Sequence, residues 1–179
     1  MLRTDTAALV LIDVQEKLAR VMHERDALVD NLVRLVRGLN ALHVPIVWVE
    51  QNPKGLGPTV PELAELLAGK EPITKRSFSC CGADGFMNTL GSLARTQILV
   101  AGIEAHVCVY QTAAGLTDAG YHVEVVADCV SSRTLANKHI ALETMNAIGV
   151  RPTSMEMALF ELLGAAEGDA FKEVLKIVK

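Results

Sequence analysis

Four short stretches are apolar almost without interruption, and they constrain the fold more than anything else in the chain: Ala7–Ile12 (AALVLI), Pro45–Glu50 (PIVWVE), Gln97–Ala101 (QILVA) and His122–Ala127 (HVEVVA). A strand with one wet face alternates apolar and polar residues. Runs like these imply burial on both faces, as in a parallel sheet covered by helices. Helical patterns lie between them. Asp26–Leu42 carries Leu28, Leu32, Leu35, Leu39 and Leu42 on one face, Glu62–Ala68 is a short helix, Ala105–Ala119 is closed by Gly120, and Leu135–Ile148 is stopped by Gly149. Val150–Thr153 reads as a short edge strand, with helical Met155–Leu163 and Phe171–Val178 after it, and Gln51–Pro61 as a Gly- and Pro-rich loop. The alternation predicts a three-layer, doubly wound α/β domain with right-handed crossovers. No repeat, low-complexity tract or linker interrupts residues 1–179, so one domain is expected.

Composition narrows the function. The chain has a net charge of −4 and scattered Lys and Arg, with four Phe, two Tyr and one Trp, so nucleic-acid binding has no electrostatic footprint. No apolar run approaches the ~20 residues that a membrane span needs. Near the N-terminus, Asp5 and Asp13 bracket the apolar run, which reads as a buried strand rather than a signal peptide. A cytoplasmic protein is expected. The four cysteines, Cys80, Cys81, Cys108 and Cys129, form no CxxC pair and read as reduced thiols. His106 and Cys108 alone do not make a zinc site.

Ligands of open parallel sheets bind beyond the carboxyl ends of the strands, so the residues just after each strand carry the information. Asp13 follows the first strand, Glu50 and Gln51 end the second, and Cys108 lies a few residues past Gln97–Ala101. A thiol near a helix N-terminus is favoured as thiolate, and free N–H groups there can bind an oxyanion. The plain alternative is a small cysteine packed between helix and sheet. Asp13 alone could be a cap, and Lys75, beside Arg76, a solvated loop cation. Together, a carboxylate, an ammonium and a thiol can move a proton and hold a nucleophile. Gly55-Leu56-Gly57 lacks the third glycine of a dinucleotide loop and reads as a turn. Asp128 could orient a loop at the same rim or cap a helix.

These strings, in this order, resemble the isochorismatase-like cysteine hydrolases over nearly the whole chain. The matching pieces are Leu11-Ile12-Asp13-Val14-Gln15, Lys75 before Ser77-Phe78-Ser79, Gly102 through Val109 (GIEAHVCV) and Val126-Ala127-Asp128. Glu50 through Gly57 and Ala127 through Arg133 look most similar to the isochorismatase-domain-containing branch. The resemblance implies a six-stranded parallel sheet in the order 3-2-1-4-5-6, a triad of Asp13, Lys75 and Cys108, and a non-proline cis peptide between Ile103 and Glu104. It also implies an oxyanion hole from the Glu104 and Cys108 N–H groups. Gln51 and Phe78 are the expected substrate contacts.

Two departures sharpen the expectation. The metal-dependent nicotinamidases of the superfamily carry histidines after the second strand, whereas Val49 through Lys54 contains none, so no metal and no cofactor are expected. Isochorismatases cleave a vinyl ether without a nucleophilic cysteine, and Cys108 points to acyl chemistry instead. The expectation is a small-molecule hydrolase cleaving an amide-type C–N bond through a Cys108 thioester, in a homo-oligomer. The rivals are a non-catalytic binding protein that kept the pocket and a thiol redox protein pairing Cys108 with Cys80 or Cys81.

Overall fold

A computed structural model describes residues 1–179. The first strand, β1 (Ala7–Ile12), has every residue buried. Its side chains alternate between two cores. Ala7, Leu9 and Leu11 face one and Ala8, Val10 and Ile12 the other, as a two-sided strand requires. After a single turn, α1 (Glu16–Ala19), comes α2 (Arg25–Ala41), whose Leu28, Leu32, Leu35 and Leu39 seal the first core. The chain continues through β2 (Ile46–Gln51), the short turns α3 (Pro53–Leu56) and α4 (Pro61–Ala64), β3 (Ile73–Lys75) and α5 (Phe86–Ser92). Next come β4 (Gln97–Ile103), a π-helical turn over Ala105–Val109 that runs into α6 (Tyr110–Asp118), and β5 (His122–Ser131). The chain ends with α7 (Leu135–Ala147), β6 (Arg151–Thr153), α8 (Met155–Leu163) and α9 (Gly168–Val178).

The six strands are all parallel and ordered β3-β2-β1-β4-β5-β6, as the resemblance implied. Helices α2, α8 and α9 cover one face, and α5, α6 and α7 the other. Gly38 of α2 has Leu159 of α8 where a Cβ would stand, so the two helices meet closely. The strand order reverses between β1 and β4, whose register brings Ile12 beside Gly102. Gly102 has φ +119°, and a Cβ there would lie 2.0 Å from the Ile12 carbonyl oxygen.

Several sequence expectations need correction. The segment around Lys75 is a strand rather than a loop, and three residues are too few to give a pattern. Helix α5 lies outside the expected elements, because Gly85 precedes and Gly91 interrupts a segment of only seven residues. Strand β5 runs four residues beyond Ala127, past a register irregularity against β4. The helix expected from Ala105 opens with a π turn. Of the two readings of Asp128 the cap is the one seen, its carboxylate accepting from the Met155 N–H at the start of α8. No helix is long and apolar enough to cross a membrane.

Candidate active site

Three strand ends assemble the site. Asp13 directly follows β1 and leaves the strand direction with φ 54°. Lys75 is the last residue of β3, and Cys108 lies in the π turn after β4. Asp13, Lys75 and Cys108 are all buried. The Lys75 ammonium donates to Asp13 Oδ2 at 2.6 Å, to Gln51 Oε1 at 3.1 Å and to the Ser77 carbonyl at 3.2 Å. The Cys108 thiol donates to the same Gln51 Oε1 at 3.3 Å. Asp13 Oδ1 is buried without a partner. The parallel register sets Gln51 beside Lys75 on adjacent strands, so the amide and the ammonium meet without a loop between them.

The electrostatics follow from burial. Loss of solvent pushes the Asp13 carboxyl above its ordinary value, although Lys75 pulls the other way. Burial first, and then the Asp13 charge, push the Cys108 thiol up to about 12. The sequence argument expected Lys75 to depress this thiol below its free value. Burial and the carboxylate outweigh the ammonium, so the thiol is shifted up rather than down.

The structure reports on every residue singled out above. Asp13, Lys75, Cys108 and Gln51 come together, and the Ile103–Glu104 bond is cis. Glu104 leaves that bond with its N–H unpartnered in the backbone and its carboxylate on Arg133 Nε at 3.0 Å. Phe78 stays outside the buried cluster, 54% exposed on the loop next to Ser77. Cys80 is fully buried, and all four cysteines are free. No group of three or more His, Cys, Asp or Glu side chains is arranged to hold a metal ion.

Sequence reasoning quoted Gln15 but gave it no role. Its buried amide accepts from the Gln51 N–H at 2.8 Å and donates to the Gln51 carbonyl at 3.0 Å and the Gly57 carbonyl at 2.6 Å. Glu50 accepts from the N–H and hydroxyl of Thr59, which tethers the rest of the loop. Position two residues past the Asp13 strand end was the only signal for Gln15. The largest surface cavity, about 890 Å³, lies between α2 and α9 and is lined by both signs of charge, including Asp30, Arg34, Arg37, Glu173 and Lys176. It contains no cysteine, serine or threonine, so chemistry rather than volume locates the site.

The isochorismatase domain model matches residues 7–157. The chain belongs to the isochorismatase family. At that level it is an isochorismatase-like hydrolase. Isochorismatase domain-containing protein 2 of Danio rerio is 37% identical over 178 residues, covering 99% of this chain and 89% of that protein. The structure of MAR1 ribonuclease from Caenorhabditis elegans aligns with a TM-score of 0.93 at 37% identity, over 99% of this chain and 91% of that one. Escherichia coli YcaC, described as an octameric hydrolase of unknown specificity, shares the isochorismatase-like fold with a TM-score of 0.93, at 22% identity over 98% and 88% of the two chains.

Proposed function

We propose that the chain is, as one hydrolase domain, a cysteine hydrolase that cleaves the C–N bond of a small amide or carbamoyl compound. The observation that carries this reading is the buried convergence of Asp13, Lys75 and the Cys108 thiol at one sheet edge, with Asp13 Oδ1 left open. An unpartnered buried carboxylate oxygen near a thiol is a ready acceptor for its proton.

In the proposed cycle the Cys108 proton passes to Asp13 as sulfur attacks the substrate carbonyl carbon. The Glu104 and Cys108 N–H groups hold the resulting oxyanion. Asp13 returns the proton to the leaving nitrogen, and ammonia or an amine departs from a Cys108 thioester. Water, deprotonated by Asp13, then attacks the thioester, and acid and thiol are released. Lys75 keeps Asp13 ionised between these steps. Phe78 and Gln51 are the proposed substrate contacts.

The redox rival predicts a disulfide between Cys108 and Cys80 or Cys81 under peroxide, where the hydrolase predicts turnover of an acyl substrate. An RNA substrate, which the name of the nematode relative raises, finds little support in a chain of net charge −4. Free thiols throughout fit a reducing cytoplasm, and the octameric YcaC makes a homo-oligomer the proposed assembly.

A panel of primary amides and carbamoyl compounds, read by ammonia release, tests the activity. Turnover that vanishes in Cys108→Ala, with an acyl adduct on Cys108 by mass spectrometry, supports the reading. Turnover that survives in Cys108→Ala, or a panel on which the folded protein is inert, refutes it.

A further inference from the structure

An ammonium has three N–H donors and no acceptor. Those of Lys75 are all committed, to Asp13, Gln51 and Ser77. These three contacts all go to oxygen rather than to sulfur. The contact with Lys75 also fixes the orientation of the Gln51 amide, because only its oxygen can face a donor. That same oxygen faces Cys108 at 3.3 Å and can receive the S–H proton, but it would repel a thiolate. Cys108 therefore stands between two acceptors: Gln51 Oε1, which accepts its hydrogen bond at 3.3 Å, and the Asp13 carboxylate, whose Oδ1 has no other partner.

We propose that Gln51 is a positioning residue that keeps Cys108 a neutral thiol in the ligand-free protein, and that withdrawal of its carboxamide activates the sulfur. When the amide swings away, one Lys75 N–H is released toward Cys108. The S–H bond then breaks, its proton goes to Asp13 Oδ1, and the electron pair stays on sulfur beside the ammonium. The backbone of Gln51 is clamped by Gln15, so only the side chain needs to move. Gln51 itself carries a primary carboxamide. A substrate carboxamide has the same size and polarity and can take its place against the sulfur. This last step rests on the amide-hydrolase reading, whereas the control of the thiol by Gln51 does not.

The charged and titratable groups facing the sulfur are Asp13 from β1, Lys75 from β3 and Cys80 from the turn before α5, while Glu50 from β2 acts on Asp13. Gln51→Met keeps the volume and removes the acceptor. Gln51→Glu keeps the acceptor and adds negative charge. Alkylation of Cys108 by iodoacetamide, followed by peptide mass spectrometry from pH 7 to 9, reads the thiolate in the wild type and both variants.

A neutral hydrogen bond of ordinary net strength is equivalent to about one pH unit in the thiol pKa, or about tenfold in thiolate. The lower basicity of that thiolate offsets part of the gain, so Gln51→Met should react roughly threefold faster than wild type. Gln51→Glu should react more slowly. The infrared S–H band of Cys108, identified by its loss in Cys108→Ala, should move to higher frequency in Gln51→Met as the bond is lost. Equal alkylation rates in all three proteins, or a Gln51→Met band at the wild-type frequency, overturn the proposal. The band is read on folded wild type as well, and a wild-type position typical of a free S–H also overturns it. None of these readouts needs a substrate, so a failed amide screen leaves them intact.

Discussion

Lys75 Nζ lies 2.6 Å from Asp13 Oδ2, and neither side chain has any solvent exposure. Removing one partner of such a pair leaves a buried charge uncompensated, at a cost of about 3–5 kcal/mol. The two single variants should differ. In Lys75→Met the remaining carboxyl, already raised by burial, can take a proton and become neutral. Its penalty should therefore shrink as pH falls from 7.5 to 5 in urea melts. In Asp13→Asn the buried lysine becomes neutral only by losing a proton, which falling pH opposes, so its penalty should not shrink over that range.

Alkaline stability follows from the buried thiols. Burial pushes Cys80 and Cys108 up to about 12 from an ordinary 9.0, and Cys129 well above it. A group whose folded pKa is raised contributes stability that is complete below its unfolded pKa and lost as pH rises through the folded one. Stability should be level in this respect up to about pH 9 and fall from there toward about pH 12. Cys129→Ala should start from a lower Tm and lose less of it between pH 9 and 11.

Gln15→Ala should unfasten the end of β2 and the loop that follows it. It removes one acceptor and two donors from a fully buried position and strands the Gln51 N–H. A loss of about 2–4 kcal/mol is expected. Amide hydrogen exchange should report it locally, with protection at Gln51 falling more than protection along β1.

Gly102→Ala is expected to prevent folding. The clash is with the backbone of β1 rather than with a flexible side chain, and φ there is +119°. Insoluble expression, or a Tm lowered by far more than Gly91→Ala lowers it, would bear this out. Gly91 is a fair control because a Cβ there meets nothing within 4 Å.

The fold was legible where burial writes a pattern. Ala7–Ile12 and Met155–Leu163 were read to the residue, and the first is apolar on both faces. Ile73–Lys75 was not, since its strand character comes from pairing with β2 rather than from its own three residues. The site was legible in its members but not in its electrostatics. Asp13, Lys75 and Cys108 could be named from strand ends and resemblance. That all three would be withdrawn from water, and that a glutamine would accept a hydrogen bond from the thiol, depends on packing between distant segments, which local sequence does not encode.

Lys75 is carried by one of the two short edge strands of the sheet. β3 lies at the edge and has a register of only three residue pairs, all with β2. Edges of this kind open locally at free energies well below that of global unfolding. Each opening would draw the ammonium into water and leave Asp13 alone beside the sulfur. Catalysis should thus be the first property lost on titration with urea, at concentrations where the helical circular dichroism is still native. A ligand filling the site should bring the two curves together. Coincident loss of activity and helical signal without ligand would mean that β3 is held more firmly than its length implies.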